Sequence, residues 1–257
     1  MVILRILIAL VCGAAFSSGV LAEQPREAIE ARLSSDRLGR IESGTYLAGD
    51  RISFALDTSG ANYLLSFSGT PEIFVLHPDT ASLGGRVLKY DTGETALLVS
   101  GWGAFTLYTD RETDGLPAVR TGDFAAPALP AISLNEIQET AAEDSSELAS
   151  LEHLAVSFDI DWATLANSGQ ARAMALDALE NVARGIERFC GPIHRRDAFA
   201  RRITAVRLAM AGRPIVTLQG RDLFVTFDPD LGYEGRASSR SIAFAIGMLL
   251  SAPKNQS

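Results

Sequence analysis

Five carboxylates stand at spacings that could do chemistry. Asp228, Asp230 and Glu234 crowd the stretch "FDPDLGYEG", and Asp159 and Asp161 form a D-x-D in "FDIDWATL". Oxygen donors at alternate loop positions are the raw material of a calcium site. The run from Asp228 to Glu234 imitates half of such a loop. A complete EF-hand also needs a ligand at position five, glycine at six and glutamate at twelve. Here Gly232 stands at the fifth place and Ser239 at the twelfth. The same residues are accounted for as a strand-to-helix connection, with Gly232 and Gly235 giving the turn and Ser238 or Ser239 capping a final helix. The D-x-D lies at the end of an expected strand, where side chains two apart share a face. Such a pair can hold a metal–nucleotide complex in glycosyltransferases, but Asp161 is equally placed to cap the following turn. Asp159, Asp161, Asp228, Asp230 and Glu234 are the candidate acidic site, and no metal or cofactor is assigned to it.

Arginine offers the second chemistry. Residues 184–213 hold eight arginines, whereas residues 133–161 hold eight acidic side chains and neither Lys nor Arg. Arg195, Arg196, Arg201 and Arg202 are the candidate anion-binding face, for a phosphate, lipid head group or polysaccharide. The plainer reading is that the acidic and basic segments face each other or are solvated separately. Exposed pairs would then contribute only ~0–1 kcal/mol each.

Other constellations are missing. No G-x-S-x-G, H-E-x-x-H or Walker G-x-x-x-x-G-K occurs. "GWGAFT" lacks the third glycine of a dinucleotide loop and reads as a hairpin, and "SAPK" stands alone near the C-terminus. His77, His153 and His194 are scattered, which is no zinc pattern. A net charge of −8 argues against nucleic acid, whose phosphates need a basic surface. Cys190 closes an apolar helical stripe and reads as a buried, inert thiol.

These residues need elements to hold them. From about residue 40 the apolar period is two: "RISFALD", "YLLSFSG", "EIFVLHP", "RVLKYD", "TALLVSG" and "AFTLYTD" are strands separated by turn signals. They predict an antiparallel β domain over 41–122, a sandwich or small barrel. Residues 112–132, rich in proline and glycine, look like a linker, placed at 123–132 in the domain division. An α+β domain follows over 133–257. It has a helix capped by Ser133 and Glu136, the strand "LAVSFDI", a helix from Gly169 to Cys190 ended by Gly191-Pro192, and a short helical turn at "AFARRI". Then come three strands expected to be antiparallel hairpins. A final helix with inner residues Ile242, Ile246 and Leu249 should be buried nearly all round. The N-terminus reads as a signal peptide over 1–22, with Arg5, an apolar run and cleavage after Ala22, followed by a helical segment in 23–40. Val11 before Cys12 is too bulky for a lipobox. Past the leader no segment is apolar enough to span a bilayer.

The segments "GWGAFTLYTDRETDGLPAVRTG" (101–122) and "GRDLFVTFDPDLGYEGRASSRSIAFAI" (220–246) resemble a family of secreted alpha-proteobacterial proteins, domain of unknown function number 4908. The resemblance implies a Gram-negative envelope location and brings no catalytic or binding residues. The expectation is a secreted, periplasmic protein that binds an envelope partner protein or polysaccharide, or is structural, without catalysis. The alternative is a carboxylate-dependent hydrolase or transferase.

Overall fold

Side chains that point alternately to opposite faces give each N-terminal strand one face for a core. In the computed structural model, which describes residues 41–124 and 129–251, those faces turn inward around a closed barrel. Its strands are β1 (Gly44–Ala48), β2 (Ile52–Asp57), β3 (Tyr63–Phe67), β4 (Ile73–Thr80), β5 (Arg86–Lys89), β6 (Thr95–Val99), β7 (Phe105–Leu107) and β8 (Leu116–Gly122). Each pairs antiparallel with the next, and β8 returns to β1 with Leu47 opposite Val119 and Ala48 opposite Ala118. Of sandwich and barrel, the barrel is the outcome. The expected leader, its cleavage site, Cys12 and the 23–40 helical segment lie outside the described residues.

Two strands went unread, β1 and β8. The stretch at 112–132 that reads as a linker contains β8, which closes the barrel. Pro117 sits inside it, opposite Thr106, and a proline inside a run argues against a paired strand. Without β8 the barrel would keep two open edges, so closure removes a hazard that an open sheet must manage otherwise.

Eight strands make a lumen that side chains can fill. Tyr46, Phe54, Leu56, Leu65, Leu76, Leu88, Leu97 and Leu107 fill it, all fully buried. A chain of aromatic contacts runs from Phe105 to Tyr46 (4.9 Å between ring centres), then to Phe54 (5.3 Å), Phe67 (6.3 Å), Phe74 (6.1 Å) and Tyr90 (5.3 Å). Tyr90 lies at the barrel end from which the β3–β4, β5–β6 and β7–β8 connections emerge. Those connections carry Glu72, Asp91, Glu94 and Asp110.

The rest of the chain forms a sheet with helices. The helices are α1 (Leu134–Leu151), α2 (Trp162–Leu165), α3 (Gly169–Cys190), α4 (Ile193–Arg202) and α5 (Ser239–Ser251). Helix α1 begins with the expected capping box: Ser133 Oγ accepts from the Glu136 amide and Glu136 accepts from the Ser133 amide. Helix α3 has the expected bounds. Its stripe of Ala175, Leu179, Val182, Ile186 and Phe189 is buried, and so is Cys190, whose thiol burial pushes up to about 12. Gly191 stays in the right-handed helical region, so the chain passes from α3 to α4 without a left-handed cap. Barrel, sheet and helices belong to one compact unit.

The sheet corrects the expectation of three antiparallel hairpin strands. Its order is β11 (Ile215–Gln219), β12 (Asp222–Phe227), β10 (Ala205–Met210), β9 (Ser157–Ile160). Only β11 and β12 form a hairpin, whereas β10 runs parallel to both β12 and β9. Residues 211–214 carry the chain past the neighbouring position to the far edge, and β12 then fills the gap. A short glycine-bearing connection therefore did not mean adjacency. Val206, Leu208, Leu223, Val225 and Phe227 turn to the helices and are buried. Helix α5 is a second correction: Ile242 and Ile246 are fully buried, but Phe244 is 61% and Met248 60% exposed.

The loop 229–235 is a short 3-10 segment between β12 and α5. Asp228 Oδ1 accepts from the Asp230 amide at 3.0 Å, and the Asp228 amide donates to the Gly235 carbonyl at 2.7 Å. A Cβ on Gly235 would sit 1.8 Å from the Asp228 carbonyl oxygen, so no side chain fits there. Gly185 is constrained less severely: a Cβ would meet the Ile242 side chain at 2.6 Å where α3 crosses α5.

Two predictions follow from this packing. Gly235→Ala should lower the melting temperature by several degrees, because the loop must open to admit the methyl group, while Asp230→Asn at an exposed site should change it little. Calcium-dependent melting lost in Asp230→Asn would overturn this account of the loop. The second concerns Asp144 on α1, whose carboxyl is pushed up from 3.8 to about 7 by burial and by the Glu180 charge, with Arg184 opposing. The folded state thus holds this proton more tightly than the unfolded chain. Its contribution favours folding at pH 4 and is lost as pH rises toward 7. Asp144→Asn should therefore melt a few degrees above wild type at pH 8, with the gap closing near pH 4; a gap that is constant across that range would refute it.

Candidate functional site

The candidate site is built on five consecutive residues, Arg236 to Arg240, that enter α5 from the 3-10 loop. A helix start has unpaired amides and a positive dipole end. Here the barrel supplies the anions. Glu72, at the end of the β3–β4 connection, is 3% exposed. It accepts from the Ser239 amide at 2.8 Å and from Ser239 Oγ at 2.7 Å. Asp91, after β5, accepts from the Ser238 amide at 3.0 Å and from Ser238 Oγ at 2.7 Å. Ser238 Oγ also accepts from the Ser241 amide at 3.1 Å, which makes Ser238 the cap.

The flanking arginines complete the junction. Arg236 is buried, pairs with Asp177 on α3 and donates to the Ile73 carbonyl of β4 at 2.5 Å. Arg240 lies over the Tyr90 ring at 4.2 Å and pairs with Glu94 at 3.0 Å and Asp110 at 2.5 Å. Burial pushes the Tyr90 phenol up to about 12. Helix α3 contributes Arg188, which also pairs with Asp110, and Arg184, whose Nε lies 3.8 Å from Glu72. Asn181, fully buried, donates to the Ala237 carbonyl at 3.3 Å and accepts from Arg184 at 2.8 Å.

Beside this junction lies a cleft of about 630 Å³ between the barrel end and α3. Its floor is Ile52, Phe67 and Phe74, and Arg184, Arg188 and Glu187 stand on its rim. A smaller cleft of about 410 Å³ is lined by Arg236, with His77, Asp91 and Glu234 in its wall.

The five carboxylates singled out by sequence are spread over several places. Asp159 is on β9, 3.1 Å from Arg207, which also holds Asp222 at 2.6 Å on the outer face of the sheet. Asp161 precedes α2 but makes no capping bond, which corrects its reading as a cap. Asp228 caps the 3-10 loop, Asp230 is exposed, and Glu234 alone of the five lines the 410 Å³ cleft. β9 and β12 both run parallel to β10, so Asp161 and Asp228 leave the same sheet edge, two strand spacings or roughly 10 Å apart. Among the described residues no group of three or more His, Cys, Asp or Glu could hold a metal ion. Of the four arginines, Arg196 pairs with Glu152 and Arg195 lies 5.6 Å from the Phe189 ring centre. Arg201 and Arg202 close the last turn of α4. The acidic and basic segments do meet, through Arg196–Glu152 and Arg207–Asp159, but Arg184 and Arg188 turn to the barrel instead.

Sequence reasoning missed Glu72, Asp91, Asp110 and Arg240. Each stands in a turn or at a helix start, where a lone charge carries no pattern. The nearest signal was the pair of serines between two arginines before an apolar helix.

The fold and junction define an α+β protein in which a filled eight-stranded barrel is capped by a sheet-and-helix layer. The chain belongs to the family described as Domain of unknown function (DUF4908), whose model matches residues 26–246. That span includes the Arg236–Arg240 junction and its barrel partners. No curated protein and no solved structure matches the chain. No helix of the described residues is long and apolar enough to cross a membrane.

The junction makes a measurable claim. Glu72→Ala leaves two donors of Ser239 unpaired in a buried place and should cost about 3 kcal/mol, and Ser239→Ala about 1–2 kcal/mol. In a double-mutant cycle followed by urea unfolding the two losses should couple by at least ~1 kcal/mol. Simple additivity would show that Glu72 does not hold α5.

Proposed function

We propose that the protein is an exported envelope protein that acts by binding and not by catalysis, with its ligand in the cleft between the barrel end and α3. The make-up of that cleft carries the reading. An apolar floor of Phe67 and Phe74 lies under a rim bearing Arg184 and Arg188, in about 630 Å³. Concave, mostly apolar sites with a few fixed charges are where small ligands are held. The combination suits a molecule with an apolar body and an anionic head. The barrel lumen is filled by side chains, so the barrel end is the place such a ligand can reach. Arg188 and Arg240 are engaged with Asp110, while burial pushes the Glu187 carboxyl on the same rim up. Held in this way the arginines orient an anionic group and, staying charged, do not transfer its protons.

The second reading, a carboxylate-dependent hydrolase or transferase, is favoured by one observation. Asp161 and Asp228 leave the C-terminal edge of parallel strands, where open α/β sheets bind ligands. Export rests on the apolar N-terminal run and the small residues before Glu23.

Anilinonaphthalene sulfonate, an apolar dye with an anionic head, is a probe for the cleft. It should bind saturably to the native protein in a Phe244→Ser background, which removes an exposed ring elsewhere. Thr70→Trp, filling the cleft from the β3–β4 turn, should weaken binding roughly tenfold. Asp161→Asn and Asp228→Asn should leave it unchanged. Dye binding indifferent to Thr70→Trp would sink the cleft reading, and a hydrolytic activity lost in either Asn variant would install the second. Mass spectrometry of envelope material should find a chain starting at Glu23; an intact Met1 or a lipid on Cys12 would exclude this form of export.

A further inference from the structure

We propose that the outer face of α5, together with the arginine face of α4, docks on an anionic phospholipid surface. The groove on this face shares no lining residue with the barrel-end cleft. Helix α5 is apolar on both sides: Ile242 and Ile246 enter the core, while Phe244 and Met248 stand in the open at 61% and 60% exposure. A helix that is apolar all round belongs in a core or against lipid. The outer face opens onto a groove of about 450 Å³ between α5 and α4, with Phe189, Ala243 and Leu250 in its floor and Arg195 in its wall.

Charge says what covers this face. The chain as a whole is acidic, at −8, yet α4 carries Arg195, Arg196, Arg201 and Arg202 against the single acid Asp197. Glu152 takes Arg196. Among the described residues Arg195, Arg201 and Arg202 have no carboxylate within ion-pair distance. At 3.6 residues per turn Arg195 and Arg202 share one side of α4, whereas Asp197 and Arg201, four residues apart, lie together on the other side. Arg221, exposed and donating to the Ala200 carbonyl, adds a further charge at the end of α4. An apolar strip beside uncompensated guanidiniums complements an interface that is apolar below and anionic above. Amphipathic helices that lie in the headgroup region of a bilayer have this make-up. A protein partner would need an acidic rim around an apolar ridge, whereas an anionic bilayer provides both everywhere on its surface.

The test uses the purified chain with vesicles of phosphatidylcholine, with and without phosphatidylglycerol, in a sedimentation assay. The chain should pellet with the anionic vesicles, should not pellet with phosphatidylcholine alone, and should be released by salt. Arg195→Ala and Arg202→Ala together should weaken binding by on the order of tenfold. Phe244→Ser with Met248→Ser should weaken it by about the same factor while the melting temperature is unchanged, because both side chains are exposed. Failure to bind anionic vesicles at low salt, or binding indifferent to both sets of changes, overturns the proposal. A melting temperature lowered by the Phe244 and Met248 changes would also overturn it, since the face would then be covered within the chain. So would a dimer that Phe244→Ser dissolves in a chain that ignores vesicles, which would assign the face to a second copy.

Discussion

The carboxylate of Glu72 on the first turn of α5 is the contact from which the rest of the architecture follows. A buried carboxylate is costly unless charge and donors meet it. Glu72 receives an amide, a hydroxyl and a dipole from α5, with Arg184 nearby. The helix start in turn receives the anions it needs. Neither half is satisfied without the other: the barrel turn would bury an unpaired charge, and α5 would begin with unpaired amides. Ser238 and Asp91 repeat the arrangement one residue earlier. The repetition fixes direction as well as position, because two adjacent amides aimed at two turns admit one orientation of the helix.

The barrel can offer these anions because its alternate turns emerge together at one end. Strand pairing therefore brings residues as far apart as Glu72, Asp91 and Asp110 to one rim. The aromatic chain through the lumen ends on Tyr90, and Arg240 stacks on that ring. The apolar floor of the large cleft continues the same chain, since Phe67 and Phe74 belong to both. Packing inside the barrel and the floor of the cleft at its rim are thus made by the same rings.

How much of this was legible in the sequence depends on distance along the chain. Local patterns were readable: the Ser133–Glu136 capping box, the Gly169–Cys190 stripe and the alternation of β2 to β7 are set by residues a few places apart. Pairings were not. Proline in β8 hid the closing strand, because its position in a barrel decides whether a missing donor matters. The place of β12 between β10 and β11 depends on which edge the helices leave open, and hairpin-length loops say nothing about that. The carboxylates with suggestive spacing became a loop cap and a surface ion pair. Those that organise the junction, Glu72 and Asp91, had no spacing to betray them, since their partners lie 167 and 147 residues away.

The same junction explains why Phe244 and Met248 stay outside. The amide-to-carboxylate contact at Ser239 sets the rotation of α5, and residues three and seven positions on, Ile242 and Ile246, then fall on the inward stripe. Gly185 lets Ile242 come close enough to α3 to lock that rotation from the other side. Turning the helix to bury Phe244 would pull Ser239 from Glu72 and drive Ile242 into solvent. Two apolar side chains in water cost far less than a stranded buried carboxylate. The outer face of α5 is therefore held open by the contact that joins the two halves, and whatever covers it must come to the molecule from outside that contact.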